Sequence, residues 1–274
     1  MPLIIAATDF SDVSQNAVKY ACRLAVAQNA QVLILHSYII PVMFSDVPIP
    51  STLATDVQND AERQMSALIK DMAQAFPELK IKGRVLYGDT VGILDDYEKH
   101  TKPLLIIVGN SIAGDSTTWL DNTLREEFKK LKYPVLAVPP GMEYKPVQKI
   151  CFAFDNKHAG NDIAMQQLTN LTAAFNAELH VLNTLSDLHG MDVNSDIDPL
   201  AKQQLSIANP HYHFAFDVEN IDEAIQNFVE KNKMDWLVMI PRKHSFFEGL
   251  FHKSHTKAVT QNSHIPIVAL HENV

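Results

Sequence analysis

Four residues stand at the ends of apolar runs in the first half of the chain, where chemistry is readily placed. Asp9 follows Leu3–Thr8, His36 and Ser37 close Val32–Leu35, and Gly109 closes Leu104–Val108. An open parallel sheet takes its ligands in the crevice outside the carboxyl ends of its strands. These four residues are expected along that edge. A carboxylate such as Asp9 can accept from an amine or hydroxyl of a base or ribose, and it is equally suited to cap a turn or helix. Residues 104–140, LLIIVGNSIAGDSTTWLDNTLREEFKKLKYPVLAVPP, have the form of an anion site. An apolar strand runs into a loop holding Gly109 and Gly114, and a helix begins near Asn122–Thr123. Bare backbone N–H groups and the partial positive charge of a helix start both favour a phosphate there.

The second half concentrates different chemistry. Its stretch PRKHSFFEGLFHKSHTK sets Arg242, Lys243, His244, Lys253, Ser254, His255 and Thr256 in one basic, hydroxyl-bearing loop, with Asp155 at the end of an earlier strand. Two readings stand side by side: an anion site at the start of the last helix, or a solvated loop packed down by Phe246, Phe247 and Phe251. Ten of the twelve histidines lie beyond residue 150. His211 and His213 alternate on a strand and share a face, but zinc sites need three or four ligands and no third is identifiable. They are read as edge-strand histidines, and no metal is expected.

Enzyme signatures are missing. There is no Walker A loop, no G-x-S-x-G elbow, no H-E-x-x-H helix, and no G-x-G-x-x-G after the first strand. No catalytic residue is assigned, so the expectation is a non-catalytic protein, a weak ATPase at most. Cys22 and Cys151 lack metal-type spacing and read as reduced thiols. A net charge of −9 argues against a general nucleic-acid binder. No apolar run approaches a membrane span, and the opening MPLIIAATDF lacks a basic leader, so the chain is expected to be cytoplasmic and away from membranes.

The elements that must position these residues alternate strand and helix. Leu3–Thr8 is a buried strand, and Ala17, Ala21, Leu24 and Ala25 then recur at helical spacing behind candidate caps Ser11, Asp12 and Ser14. Val32–Leu35 follows, then a long amphipathic helix with Leu53, Val57, Ala61, Met65, Leu68 and Met72. Lys82–Tyr87, a short helix through Ile93, Leu94 and Tyr97, Leu104–Val108 and Val135–Val138 complete the unit. Such alternation implies parallel strands joined by right-handed crossovers.

The arrangement occurs twice. Gly109 and Pro241, Thr123 and His255, and Pro134 and Pro266 are each separated by 132 positions. Two copies of one unit are expected, residues 1–145 and 146–274, divided at the linker marked by Pro139, Pro140, Gly141 and Pro146. In the second copy Lys149–Phe154, Glu178–Asn183, His211–Phe216, Trp236–Ile240 and Ile265–Leu270 are the strands, with helices through Leu168 and over Ile221–Val229. Leu185–Asn209 replaces the long Pro-rich connection of the first copy.

The stretches IIAATDFSDVSQNAVKYA, AQVLILHSY, LLIIVGN and YPVLAVP, the last echoed by IPIVAL, resemble the universal stress proteins in their tandem form. The resemblance covers nearly the whole chain. It implies an α/β fold of two tandem doubly wound, five-stranded parallel-sheet units (Rossmann-like, of the adenine nucleotide alpha-hydrolase type). Their last strands, Val135–Val138 and Ile265–Leu270, would pair as an intrachain pseudo-dimer, with other surfaces left for a homo-oligomer. Nucleotide-binding members carry G-x2-G-x9-G-S/T after the fourth strand. Here Gly109 fills the first glycine, Ile112 the second, Asn122 the third and Thr123 the hydroxyl. A β-branched Ile112 obstructs the close approach glycine permits, whereas Asn122 tolerates left-handed geometry. In the second unit Pro241, His244, Ser254 and His255 stand at those positions, so the motif is absent. The resemblance implies ATP or AMP in the N-terminal unit, with Asp9 toward the base and Gly109, Asn122 and Thr123 toward the phosphates. Its alternative is a nucleotide-free interaction protein of the stress response. Gly109→Val is expected to abolish nucleotide binding and leave the fold largely intact.

Overall fold

The computed structural model describes residues 1–40, 53–110, 131–154, 162–185, 205, 208–216, 221–240 and 265–271. The first unit comprises β1 (Leu3–Ala7), α1 (Asp12–Ala27), β2 (Gln31–Tyr38), α2 (Leu53–Ala75), β3 (Ile81–Tyr87), α3 (Thr90–His100), β4 (Pro103–Gly109) and β5 (Val135–Val138). The second comprises β6 (Lys149–Phe154), α4 (Asp162–Phe175), β7 (Glu178–Leu185), β8 (His211–Phe216), α5 (Ile221–Lys231), β9 (Trp236–Met239) and β10 (Ile267–Ala269).

All ten strands form one sheet in the order β3-β2-β1-β4-β5-β10-β9-β6-β7-β8. Every pair is parallel except β5 with β10, which is antiparallel. That pair is the seam. Ile267 faces Ala137, Val268 faces Leu136 and Ala269 faces Val135. Leu136 and Val268 are equivalents under the 132-residue offset, so a pseudo-two-fold axis passes through their contact. This is the self-complementary geometry of a symmetric dimer, built within one chain.

The continuous apolar runs of β1, β4 and β5 are explained by cover on both faces. On one face a single core crosses the seam. Ile4, Ile34, Ile107, Leu136, Val268, Val238 and Phe152 point into it, under α1, α2 and α4. On the other face the cores are separate: Val91 and Leu94 of α3 cover Ile5, Leu33 and Ile106, while Ile225 and Val229 of α5 cover Cys151, Leu182 and Leu237. A buried hydrogen bond ties the halves across the shared core. Trp236 Nε1 on β9 donates to the Tyr20 hydroxyl on α1 at 2.8 Å, and Tyr20 meets Tyr144 edge-on at 5.4 Å. Cys22 and Cys151 are free and buried, with burial pushing both thiols up to about 12.

β2 and β7 run well past the ends that the sequence pattern indicates. β2 continues through His36 and Ser37 to Tyr38 because β3 pairs with it as far as Tyr87. β7 continues to Leu185 against Phe216 of β8. Neighbouring ladders, more than local hydrophobicity, decide where these strands stop. The C-terminal strand is shorter than Ile265–Leu270, because only Ile267–Ala269 has partners on both β5 and β9.

Candidate functional site

In the order β3-β2-β1-β4-β5 the strand sequence reverses direction between β1 and β4, which makes that gap the topological switch point. Asp9 lies just past β1 and Gly109 ends β4, so the two flank the crevice. His36 and Ser37 lie one strand further, near the end of β2.

The β1–α1 turn is locally specified. Ser11 is the N-cap of α1, its side chain accepting from the Ser14 N–H at 3.3 Å, and Asp12 supplies an acidic group in the first turn, where the helix dipole favours it. Asp9 Oδ1 accepts from the Ser11 N–H at 3.0 Å and from the Ser11 hydroxyl at 2.5 Å. That is the turn-capping role, and it occupies one carboxylate oxygen. Among the described residues Oδ2 has no hydrogen-bond partner. Thr8 and Ser14, both buried, share a hydroxyl contact at 2.9 Å, and Phe10 sits at φ 66 with its N–H donating to Thr8 Oγ1. Phe10 is thus held left-handed by its neighbours, at a conformation unusual for a bulky residue.

His36 Nδ1–H donates to the Thr8 carbonyl at 2.8 Å. A carbonyl cannot donate, so Nε2 is the acceptor nitrogen of the neutral ring. Burial lowers its pKa, the outcome surviving the opposing pull of the Thr8 carbonyl and Asp9. The ring stacks obliquely on Phe10 at 4.3 Å. Ser37 shares a 2.6 Å contact with the Thr90 hydroxyl at the start of α3, whose N-cap is Asp89, accepting from the Gly92 N–H at 2.7 Å. Ser37 therefore joins β2 to α3.

Gly109 has a packing reason that its spacing alone does not disclose. A Cβ there would lie 2.9 Å from the Val13 carbonyl oxygen and 3.0 Å from the Val13 carbonyl carbon. The first turn of α1 rests directly on this backbone, and the expectation that Gly109→Val spares the fold is corrected accordingly.

Asp9, His36, Ser37 and Gly109 thus gather at one sheet edge. Asn122, Thr123, Ile112 and Gly114 lie outside the described residues, as do Asp155, Arg242, Lys243, His244, Lys253, Ser254, His255 and Thr256. Thr8, Phe10 and Thr90 join the site without having been singled out, whereas Ser14, a candidate cap in the sequence, serves as the residue whose N–H the Ser11 cap accepts from. In the second unit Asn183 is the sixth residue of β7, as His36 is of β2. It is buried, and among the described residues neither amide atom has a hydrogen-bond partner.

The histidine pair on β8 gains a third member. His180 on β7 is the ladder partner of His211, and its ring stacks with His211 at 5.0 Å and with His213 at 5.2 Å. His180 Nδ1 and His213 Nε2 are 3.0 Å apart, and His180 Nε2 is 3.4 Å from Glu178. Among the described residues no group of three or more His, Cys, Asp or Glu is arranged to hold a metal ion. β8 is an edge strand.

A sequence profile of the universal stress protein family matches residues 2–139 and again 146–271. The chain belongs to that family, as a tandem member. Its fold is similar to the crystal structure of a universal stress protein from Archaeoglobus fulgidus, at 16% identity and a TM-score of 0.69, covering 99% of this chain and 98% of that one. It is also similar to a universal stress protein structure from Pseudomonas aeruginosa, at 12% identity and a TM-score of 0.52, covering 99% of this chain and 93% of that one. A universal stress protein in complex with cAMP matches half of the chain, at 25% identity, a TM-score of 0.39, and coverage of 51% of this chain and 98% of that one. No curated protein matches the sequence. No helix among the described residues is long and apolar enough to cross a membrane.

Proposed function

We propose that this chain is a non-catalytic universal stress protein that binds one adenine nucleotide, ATP or AMP, in the crevice of its N-terminal unit. The observation that carries the reading is the pairing of Asp9 and Gly109 across the switch point between β1 and β4. Asp9 keeps Oδ2 available to accept from a base amine or a ribose hydroxyl, while Oδ1 holds the turn. His36, held as the Nδ1–H tautomer, offers an acceptor nitrogen beside it. Gly109, with Asn122 and Thr123 of the family motif, serves the phosphates. The unit boundary falls near residue 146. The second unit lacks the glycine motif, and its basic loop is assigned no nucleotide.

A second reading is favoured by Ile112 and Asn122 in place of motif glycines: a nucleotide-free interaction protein acting in the cytoplasm through assembly. Here the seam strands β5 and β10 are already paired with each other, so a homo-oligomer would use other surfaces. Native mass spectrometry with ATP, AMP and divalent metals separates the readings. One adenine nucleotide per chain, lost in Asp9→Ala, supports the first. Two per chain assigns a nucleotide to the second unit as well. None at millimolar ligand moves the conclusion to the assembly protein.

A further inference from the structure

Three histidines share one face at the outer edge of the second unit. His180 on β7 is the ladder partner of His211 on β8, and His213 follows two residues later on the same side of the strand. His180 Nδ1 lies 3.0 Å from His213 Nε2, and His180 Nε2 lies 3.4 Å from Glu178 Oε2. The His180 side chain is 12% exposed and Glu178 is 59% exposed, so the first is shielded and the second reaches water. Phe228 of α5 covers the His213 ring at 4.7 Å. The first unit has no such group: the third residue of β2 is Leu33, and its partner on β3 is Lys82.

These contacts fix the ring protons. An ionised carboxylate only accepts, so neutral His180 carries its proton on Nε2, toward Glu178. Its Nδ1 is then bare, and the His213 Nε2–H donates to it. One added proton is accommodated. It enters at His213 Nδ1, the shared proton shifts to His180 Nδ1, and His180 becomes the cation beside Glu178. A second added proton leaves an N–H on both facing nitrogens, so two donors and two cations stand about 3 Å apart, and the contact fails. The surroundings oppose that charge. Burial disfavours it on both rings; for His180, Glu178 favours it while His211 and Lys149 of β6 oppose it, and His213 faces only His180 and His211. From α5 the facing residue is the apolar Phe228, and Glu223, Glu230 and Lys231 of that helix are exposed.

We propose that the His180–His213 pair is a proton-operated latch on the edge of the second unit. It is closed with no added proton or one, and open with two, when β8 separates from β7 together with the face of α5 that rests on it. β8 is the outermost strand and is paired with β7 alone, so no ladder on its far side holds it once the histidines part. Opening uncovers the edge of β7, a row of N–H and C=O groups ready to pair with another strand. The device is local: the nucleotide crevice and the seam between β5 and β10 lie elsewhere in the sheet.

The test is amide hydrogen exchange of the full chain, read by mass spectrometry at pH 7.5 and pH 5 and corrected for the intrinsic pH dependence of exchange. Each proton held by the open edge and not by the closed one raises opening about tenfold per pH unit below about 6.5. Corrected exchange in β8 and α5 of the parent should therefore rise about tenfold or more at pH 5, while β2 and β3 of the first unit serve as the internal control and stay protected. His213→Gln keeps an amide that can donate to His180 Nδ1 and cannot take a charge, so its exchange should not respond to pH. Circular dichroism at pH 7.5 establishes that this variant is folded, and His180→Gln carries the same comparison if it is not. Unchanged protection of β8 in the parent at pH 5, or an equal rise in the uncharged variant, overturns the proposal. An equal rise in β2 and β3 overturns it as well, since the acid response would then belong to the whole chain.

Discussion

Replacing Gly109 with alanine tests whether this glycine is required by the fold before any ligand is considered. The added Cβ would stand 2.9 Å from the Val13 carbonyl oxygen and 3.0 Å from both the Val13 carbonyl carbon and Cγ1. Carbon contacts are comfortable at about 3.5–4.0 Å, so roughly half an ångström must be found. The backbone on both sides is held in place. Val13 is in the first turn of α1, and Gly109 is registered with Val138 in the β4–β5 ladder, with the Asn110 N–H bonded to the Val138 carbonyl. Overpacking of this kind costs about 1–3 kcal/mol, which lowers Tm by roughly 2–12 °C at about 2–4 °C per kcal/mol for a chain of this size class. Gly83 on β3 is the control. An added Cβ there meets Ile69 Cδ1 still more closely, and Met65 Sδ at 2.6 Å. Those atoms, with Met65 Cγ at 2.8 Å, belong to side chains on α2 and not to backbone, so they can give way by rotation at smaller cost than the Val13 carbonyl can. Urea unfolding of Gly109→Ala and Gly83→Ala, followed by circular dichroism and tryptophan fluorescence, should therefore show the larger loss at Gly109. A Gly109→Ala protein within about 0.5 kcal/mol of the parent, or a larger loss at Gly83, would refute the reasoning.

Other outcomes follow from the same contacts. Tyr20→Phe strands the buried Trp236 N–H without its acceptor, and urea unfolding should register a loss of about 1–3 kcal/mol; an unchanged midpoint would mean that the bond across the shared core contributes nothing. Burial lowers the pKa of His180, with the hydrogen bond to Glu178 opposing it and His211 and Lys149 adding to it; His213 is lowered by burial, then by His180 and His211. A histidine depressed in the folded state leaves stability intact above the unfolded value of about 6.5, and stability falls as pH drops below it because the unfolded chain then binds more protons. Melting between pH 7.5 and 5 should show that decline in the parent and a shallower one in His213→Phe, and equal slopes would remove the histidine cluster as its source.

Much of this architecture was legible from local pattern. Buried strands announce themselves as continuous apolar runs, α1 by Ala17, Ala21, Leu24 and Ala25 on one face, and the duplication by an offset preserved from Gly109 to Pro266. Those signals depend on residues near one another in the chain, where side-chain direction follows directly from the strand or helix period. The pairing of Val135–Val138 with Ile265–Leu270 was implied by family resemblance, because nothing in either segment's own pattern states which strand it joins.

Contacts between distant positions were decided by register and packing. His180 meets His211 because β7 and β8 align at those residues, and Tyr20 reaches Trp236 because α1 lies over the shared core of both units. Asp9 shows the division at a single residue. Its type and its place after an apolar run marked it from sequence as either a ligand group or a cap. Only the folded turn, with Ser11 brought against one oxygen, assigns Oδ1 to capping. Gly109 was legible as a glycine in a loop motif, but the Val13 carbonyl that demands it is almost a hundred residues away, and only the seating of α1 on β4 brings the two together.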